Sequence, residues 1–463
     1  MKEKRVLKKK REPHGPRVPN ESPAGDRRAL KGQPDFLLTI TVIGLVLFGI
    51  VMVFSASYYS TMDNPAIKDP YYYLIQTSKW AAGGIAVMVL LSHVPYRIYY
   101  RLAMPLMVLG LLLLAAVLVP GVSTDLNNAG RWIQVGPVTI MPGEIAKITA
   151  IFFVAWMFTK KSDIATSFKQ AYIPIMVLVV AYFVLIIKQP NLSTAIIVCG
   201  IVVILACIAG NPKRYLALTI ALGSIGVYAL IQMNPDGEHY KRFTGFLDPF
   251  SDAQDAFYQN VQALLALGAG GVTGVGPGRS IQKALYLPEA NNDFIFAIIG
   301  EELGFIGCLA VLAAFLFLLW RCALVSINAP DRFGMLVSAG ITIWMALQVI
   351  MHIAVVTSLM PPTGVTLPFI SYGGNAILIT MAAMGVLLSV SRASARKAAL
   401  AAHAESKESS DEDLGERLDE NLGGRGYASG CGFGGGVRRE WIKAGSAGFG
   451  MGGAKFDVRE NHR

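Results

Sequence analysis

Residues 287–307 read Leu287-Pro-Glu-Ala-Asn-Asn-Asp-Phe-Ile-Phe-Ala-Ile-Ile-Gly-Glu-Glu-Leu-Gly-Phe-Ile-Gly307. They begin a long apolar run that has Asp293 at its mouth and Glu301 and Glu302 within it. In a helix that rises about 1.5 Å per residue, these two glutamates lie about 12 Å beyond Asp293. Carboxylates at membrane depth are costly and are seldom accidental. The stretch therefore predicts a membrane helix whose acidic residues have a structural or a functional use.

The composition of the whole chain also indicates a membrane protein. Of 463 residues, 53% are apolar and only 16% are charged, which is more apolar sequence than a soluble core uses. The net charge is +10, but the lysines and arginines crowd into the N-terminus and the short loops between apolar runs. That pattern is typical of membrane orientation and does not predict nucleic-acid binding.

The apolar runs predict an all-α polytopic membrane protein with about ten transmembrane helices, since a crossing needs about 20 apolar residues. The predicted spans are 36–56, 80–94, 102–120, 144–158, 171–187, 194–210, 215–233, 294–320, 334–358 and 370–391.

Loop charges predict the orientation of these spans. Loops rich in lysine and arginine alternate with loops poor in them, which places both termini in the cytoplasm. A long extracytoplasmic loop, 234–293, joins helices seven and eight and contains a predicted amphipathic stretch at 258–267. Residues 1–35 form a basic cytoplasmic N-terminus, and residues 393–463 form a charged and then glycine-rich cytoplasmic tail. We expect disorder in 1–33 and 400–463.

The three carboxylates of residues 287–307 each have two interpretations. Asp293 is either a helix N-cap, a position that favours aspartate, or a catalytic carboxylate. Glu301 and Glu302 are either functional acids or a buried structural pair to a lysine or arginine, and the structural pair is favoured.

A second cluster contains Arg131, Trp132, Glu144 and Lys147. Glu144 and Lys147 are three residues apart on one helix face, so a simple ion pair is one interpretation. In the other, Arg131 and Lys147 supply positive charge to a diphosphate near the outer membrane surface.

Two further polar regions lie at the ends of predicted spans. One is the turn from Lys188 to Thr194, which includes Gln189, and the other is the proline- and glycine-rich stretch 361–374. Irregular backbone at membrane depth is tolerated where it is buried or lines a cavity. Gln348 and His352, one turn apart in the ninth span, are interpreted as an interhelical hydrogen-bonding pair rather than as catalytic residues.

Taken in order, these blocks resemble the SEDS family over nearly all of residues 36–392, which form the transmembrane domain. The resemblance is carried by Phe54–Ser57, Arg131-Trp132, Glu144-Ile-Ala-Lys147, Gln189-Pro190, Tyr258-Gln259, Leu287–Gly307 and Leu367–Gly374. The motif Gly364-Val-Thr-Leu-Pro-Phe369 is similar to the corresponding motif of the FtsW and SpoVE branch, whereas the RodA branch usually has proline in place of Thr366.

The resemblance implies a ten-helix peptidoglycan glycosyltransferase in the bacterial cytoplasmic membrane. Such an enzyme polymerises lipid II, the undecaprenyl-diphosphate-linked disaccharide, into glycan strands at the outer face. It works at the division septum with a class B penicillin-binding protein, other division proteins and membrane lipid.

The same resemblance assigns expected roles to residues. Asp293 occupies the position of the family's essential aspartate and is expected to be the general base. The other expected substrate-binding residues are Arg131, Glu144, Lys147, Lys283 and Gln189. A divalent cation, Mg²⁺ or Mn²⁺, is an alternative source of charge for the diphosphate.

Several positions differ from the family's usual sequence. Gly143 replaces serine, Asn191 replaces aspartate, His352 replaces asparagine, and Asn291-Asn292 replaces His-Thr. Two other functions also use such spans: a lipid II flippase, and a division or sporulation scaffold that recruits the penicillin-binding protein.

Overall fold

The structure is a computed structural model that describes residues 32–63, 65, 67–120, 123–126, 129–135, 138–160, 165–189, 191–232, 257–284 and 286–423. The chain divides into two compact units, Met1–Ala401 and Ala402–Arg463. The predicted disordered N-terminus, the first part of the predicted long loop and the end of the tail lie outside the described residues.

The first unit is a bundle of apolar helices with one small sheet. The helices of the described residues in both units are α1 (Phe36–Asp63), α2 (Tyr72–His93), α3 (Arg97–Ala116), α4 (Pro142–Lys160), α5 (Ile173–Ile187, preceded by the π-helical turn Phe168–Tyr172), α6 (Leu192–Ile208), α7 (Lys213–Gln232), α8 (Tyr258–Gly270), α9 (Ile295–Ile327), α10 (Arg332–Val356) and α11 (Gly374–Gly423).

The prediction of an all-α polytopic membrane protein is confirmed. A helix lies at each of the ten predicted spans, and α8 begins where the amphipathic stretch was predicted. Eight helices among the described residues are long and apolar enough to cross a membrane; α6 is apolar but shorter. The number of crossings stays a prediction.

The connections predicted to be cytoplasmic lie together at one end of the bundle, which we call the basic end. The contacts that join them are Tyr96 to Asp331 at 2.5 Å, Arg97 to Asp331 at 3.7 Å, Arg332 to the Ala209 carbonyl at 2.8 Å, and Arg321 to Asp35. The charge pattern therefore grouped these loops correctly, while their assignment to the cytoplasm stays a prediction.

A three-stranded antiparallel sheet, which was not predicted, precedes α4. Its strands are β1 (Ser123–Leu126), β2 (Ala129–Val135) and β3 (Val138–Ile140), in the order β1-β2-β3. Asn375 at the start of α11 donates to the Thr139 carbonyl at 2.6 Å and so fixes β3 against the bundle.

Helix α9 is broken at Gly304, whose φ of 67° and ψ of −167° are not helical. The segment after α8 pairs with both sides of the break, and this supplies hydrogen-bond partners to backbone groups that the break releases. The bonds run from Val275 N to Glu301 O (2.9 Å), Gly276 N to Glu302 O (3.1 Å), Phe305 N to Gly271 O (2.9 Å) and Ile306 N to Val272 O (3.1 Å).

The prediction of disorder from residue 400 was wrong for residues 400–423, because α11 continues to Gly423. This stretch contains five glutamates, four leucines and three alanines, which have high helix propensity. Arg417 and Asp413, one turn apart, add an ion pair of 3.3 Å. A high density of charged residues was therefore not sufficient to predict disorder here.

Candidate functional site

Asp293 lies in the last turn before α9 and is half-buried. The N-cap of α9 is Phe294, and no side chain caps the helix there. The N-cap interpretation of Asp293 is therefore wrong. Within the described residues, the structure records no hydrogen bond to its carboxylate.

The surroundings of Asp293 favour a carboxyl group that is easily protonated. A Cβ added to Gly364 would lie 3.1 Å from its Oδ2, so the backbone of residue 364 closes one side of the carboxylate. Burial and the negative charge of Glu289 raise the pKa of Asp293 from the ordinary 3.8 to about 7, while the positive charge of Arg131 acts in the opposite direction. Its proton is thus exchangeable near neutral pH.

Arg131, whose charge influences Asp293, lies at an irregularity in the sheet. Thr124 pairs with Trp132 and Asp125 pairs with Gly130, so Arg131 is the extra residue of a β-bulge. Bulges redirect a side chain relative to its neighbours and are frequent beside active sites. Two residues that the sequence analysis selected from distant blocks therefore act on each other electrostatically in the fold.

Glu144 and Lys147 form the ion pair that was one of their two interpretations. The Lys147 Nζ lies 2.7 Å from Glu144 Oε1, and the lysine side chain is only 2% exposed. It also donates to Gln348 Oε1 at 3.2 Å and lies 5.0 Å from the centre of the Trp344 ring. Three groups therefore hold one buried cation, and its expected role toward a diphosphate stays a prediction.

Gln348 and His352 are hydrogen-bonding residues, as the sequence analysis favoured. Gln348 bonds across helices to Lys147, and it also donates to the Thr366 carbonyl at 3.0 Å. His352 bonds through Nδ1 to the Val365 carbonyl at 2.7 Å. The sequence did not indicate that both residues hold the backbone next to Gly364.

The structural-pair interpretation is confirmed for Glu302. Its carboxylate pairs with Lys283 Nζ at 2.6 Å, and Ser55 of α1 donates to it at 2.7 Å. Glu301 instead accepts from the Ser280 hydroxyl and from the Ile281 amide at 2.7 Å. Both glutamates thus bind the segment that leads to Asp293, and the ammonium of Lys283 is occupied by partners in the protein.

The polar turn at Gln189 serves the ends of two helices. Gln189 is buried and donates to the Leu114 carbonyl at 2.9 Å. Asn191 caps α6 by accepting from the Thr194 amide at 3.2 Å, a role that aspartate fills equally well. The Asn191 departure therefore removes a charge and keeps the cap, while substrate contact by Gln189 stays a prediction.

Metal binding by this site stays a prediction. The described residues contain no group of three or more histidine, cysteine, aspartate or glutamate side chains placed to hold a metal ion. A Mg²⁺ ion that binds substrate phosphates needs only one or two protein carboxylates, and Asp293 with Glu289 supplies that number.

Comparison with known proteins gives consistent matches over the membrane domain. Residues 35–396 match a family model described as "Cell cycle protein", which groups FtsW, RodA and SpoVE. Stage V sporulation protein E of Bacillus subtilis is 38% identical over 78% of this chain and 98% of its own length. A protein named probable peptidoglycan glycosyltransferase FtsW, from Geobacter metallireducens, is 36% identical over 77% of this chain and 94% of its own length.

Solved structures match the fold as well. A chain from a peptidoglycan synthase complex, described as coordinating polymerization and crosslinking, superimposes with a TM-score of 0.65 at 26% identity, over 78% of this chain and 98% of that one. The rod shape determining protein RodA of Thermus thermophilus gives a TM-score of 0.57 at 28% identity, over 78% and 97%.

Proposed function

This chain belongs to the FtsW, RodA and SpoVE family of cell cycle proteins, and we propose that it is a peptidoglycan glycosyltransferase with Asp293 as its general base. Its substrate is lipid II, and its product is a glycan strand at the outer face of the cytoplasmic membrane. Support comes from the relatives named as such enzymes and from the placement of Asp293 at the mouth of a membrane helix.

The reaction has two requirements that this site meets. An acceptor sugar hydroxyl attacks the anomeric carbon of the donor sugar, and its proton must be removed as the new C–O bond forms. The C–O bond to the diphosphate breaks, and the undecaprenyl diphosphate leaves with two negative charges or more. A half-buried carboxylate whose pKa is about 7 matches the first requirement, because a general base is most effective when its pKa lies near the working pH.

Positive charge for the leaving diphosphate comes from Arg131 in this proposal. Its guanidinium acts on Asp293, so a diphosphate bound to it is held beside the base. Lys147 is buried in its pair with Glu144, and its expected contribution to the diphosphate is a smaller part of the proposal. Lys283 is bound to Glu302 and Ser55, and its expected contribution to the diphosphate is the weakest of the three.

One observation carries the proposal: Asp293 lies against Gly364 and is influenced by the charge of Arg131, although the three residues come from separate blocks of sequence. The test is glycan-strand formation from labelled lipid II by the purified chain in complex with its class B penicillin-binding protein. We expect polymer from the wild type and none from Asp293→Asn at equal folded amounts. Asp331→Asn is the matched control, because it makes the same change at the basic end, where asparagine can still cap α10.

Each outcome assigns a function. Equal activity of Asp293→Asn and the wild type rejects Asp293 as the base. Inactivity of both proteins, with the complex intact, favours the flippase or the scaffold. Association with a class B penicillin-binding protein is part of the proposal, and it is supported by the match to a chain of a peptidoglycan synthase complex. The proposal also includes action at the division septum and a cytoplasmic location of both termini.

A further inference from the structure

An irregular segment, Thr363–Leu367, forms the wall beside Asp293. Gly364 makes the contact, and a Cβ on it would lie 3.1 Å from the carboxylate oxygen Oδ2. The φ of Gly364 is outside the left-handed range that favours glycine, so close approach explains the residue. The position of this backbone therefore limits where the carboxylate can sit.

Two side chains of α10 hold the wall in place. The His352 Nδ1 donates to the Val365 carbonyl at 2.7 Å, and the Gln348 Nε2 donates to the Thr366 carbonyl at 3.0 Å. Both side chains are buried, His352 completely. They bind consecutive carbonyls immediately after Gly364, so they fix the peptide groups on which its position depends.

The bond from His352 persists at a cost. Because Nδ1 donates to a carbonyl, the other nitrogen, Nε2, is an acceptor, and it is buried without a hydrogen-bond partner in the described protein. An unsatisfied buried polar atom is destabilising, because it loses its hydrogen bonds to water and gains none in the protein. An apolar residue would avoid this cost, which indicates that the bond to Val365 is the useful part of His352.

Gln348 links the wall to the buried cation. Its Oε1 accepts from Lys147 at 3.2 Å and from the Trp344 indole at 2.7 Å, while its Nε2 donates to Thr366. All three bonds agree on one orientation of the amide group. The ion pair of Glu144 and Lys147 is thus joined through one side chain to the backbone beside Asp293.

We propose that Gln348 and His352 are positioning residues, which hold Val365 and Thr366 so that Gly364 fixes the carboxylate of Asp293. The proposal rests on the proposed function of Asp293 as the base. A catalytic group must be held within about 0.5 Å of its productive position, and a misplacement of about 1 Å can reduce the rate about 10²-fold. Loss of the two bonds frees the wall to move by such distances.

The first experiment compares His352→Leu with His352→Asn in the lipid II polymerisation assay. Leucine removes the donor, whereas asparagine keeps an N–H donor near the position of Nδ1. We expect His352→Leu to reduce kcat at least about tenfold with little change in KM, and His352→Asn to stay within about twofold of wild type. Ser389→Ala is the matched control, because it removes a similar side-chain bond to a carbonyl, Val94 at 2.6 Å, at the basic end.

A pH profile separates positioning from general destabilisation. Glu289 and Arg131 are the charged groups that act on Asp293, and His352→Leu leaves both unchanged. Loosening the wall admits water to the carboxylate and reduces the effect of burial, so the midpoint of the kcat profile should move to lower pH. A variant that is only less stable has fewer active molecules and keeps the wild-type midpoint.

The outcomes keep this inference separate from the proposed function. Loss of activity in Asp293→Asn together with wild-type kcat and midpoint in His352→Leu overturns the positioning role alone. If His352→Leu does not fold, Gly364→Ala is tested in its place, because the added Cβ would displace the carboxylate of Asp293 directly. We expect the same loss of kcat at an unchanged unfolding temperature. A wild-type kcat in folded Gly364→Ala overturns the proposal.

Discussion

Lys283 and Glu302 form a 2.6 Å ion pair between side chains that are only 2% and 1% exposed. Lys283 lies in the segment that leads to Asp293, and Glu302 lies at the end of the first part of α9, two residues before the break at Gly304. Ser55 donates to the same carboxylate at 2.7 Å. The pair therefore joins α1, α9 and the segment before the site at one buried point.

Removal of one member of this pair should destabilise the protein strongly. In Lys283→Met the buried carboxylate of Glu302 loses its counter-charge, which typically costs about 3–5 kcal/mol. We expect a large decrease in the unfolding temperature of the purified protein in detergent, measured by intrinsic fluorescence.

The double variant Lys283→Met with Glu302→Leu should recover most of that decrease, since replacing both charges by apolar groups is often neutral. Additive decreases in the two single variants and the double variant would show that the two side chains do not interact.

The polymerisation rate should increase with pH through a midpoint near 7, because Asp293 accepts a proton only when it is ionised and its pKa is about 7. Glu289→Gln should move the midpoint to lower pH, because it removes a negative charge that raises the pKa of Asp293. The measurement is kcat against pH between about 5 and 9. Asp331→Asn, at the other end of the bundle, serves as the control, and a midpoint in Glu289→Gln equal to wild type would contradict the assignment.

Asp293→Asn should be more stable than the wild type at pH 8. The folded protein raises the pKa of Asp293 from 3.8 to about 7, so ionisation favours the unfolded state as the pH rises above 4, and the effect is complete above 7. Asparagine does not ionise. The gain in unfolding temperature should be present at pH 8 and absent at pH 4, and an equal gain at both would assign it to packing.

Gly304→Ala should prevent the normal fold of α9. The φ of Gly304 is 67°, and a Cβ there would lie 2.3 Å from the backbone nitrogen of Gly274. Neither backbone can yield without losing the bonds across the break. Gly83→Ala is the control, because nothing lies within 4 Å of its Cβ position and alanine favours the helix by about 0.5–1 kcal/mol. Folded yield and unfolding temperature distinguish the two variants, and comparable values would contradict the close contact.

The sequence was sufficient for the helices because their signal is local. Apolar runs of the right length placed a helix at every predicted span, and the lysine and arginine pattern grouped the loops of the basic end. The sheet was missed because β1 and β3 have only four and three residues, too few for an alternating pattern to be distinguished from a loop. The bulge at Arg131 depends on pairing between strands, which no single strand encodes.

The sequence predicted the residues of the candidate site but not how they are arranged in space. Asp293, Arg131, Glu144 and Lys147 were selected for their chemistry, and the family resemblance decided between the interpretations of Asp293. Contacts across long separations were not predictable, such as Ser55 with Glu302. The bonds of His352 and Gln348 to consecutive carbonyls also depend on how the backbone returns after α10.

The break at Gly304 changes the depth of the buried acids. As one straight helix, the 33 residues of α9 would extend about 50 Å, well beyond a hydrocarbon layer of about 30 Å. The part from Phe305 to Ile327 measures about 35 Å by the same rise and is long enough to cross that layer alone. Glu301 and Glu302 precede it, so the lipid boundary can fall after them. The two glutamates, which are 1% exposed, then lie inside the protein beyond the lipid boundary, and the bilayer need not accommodate their charge.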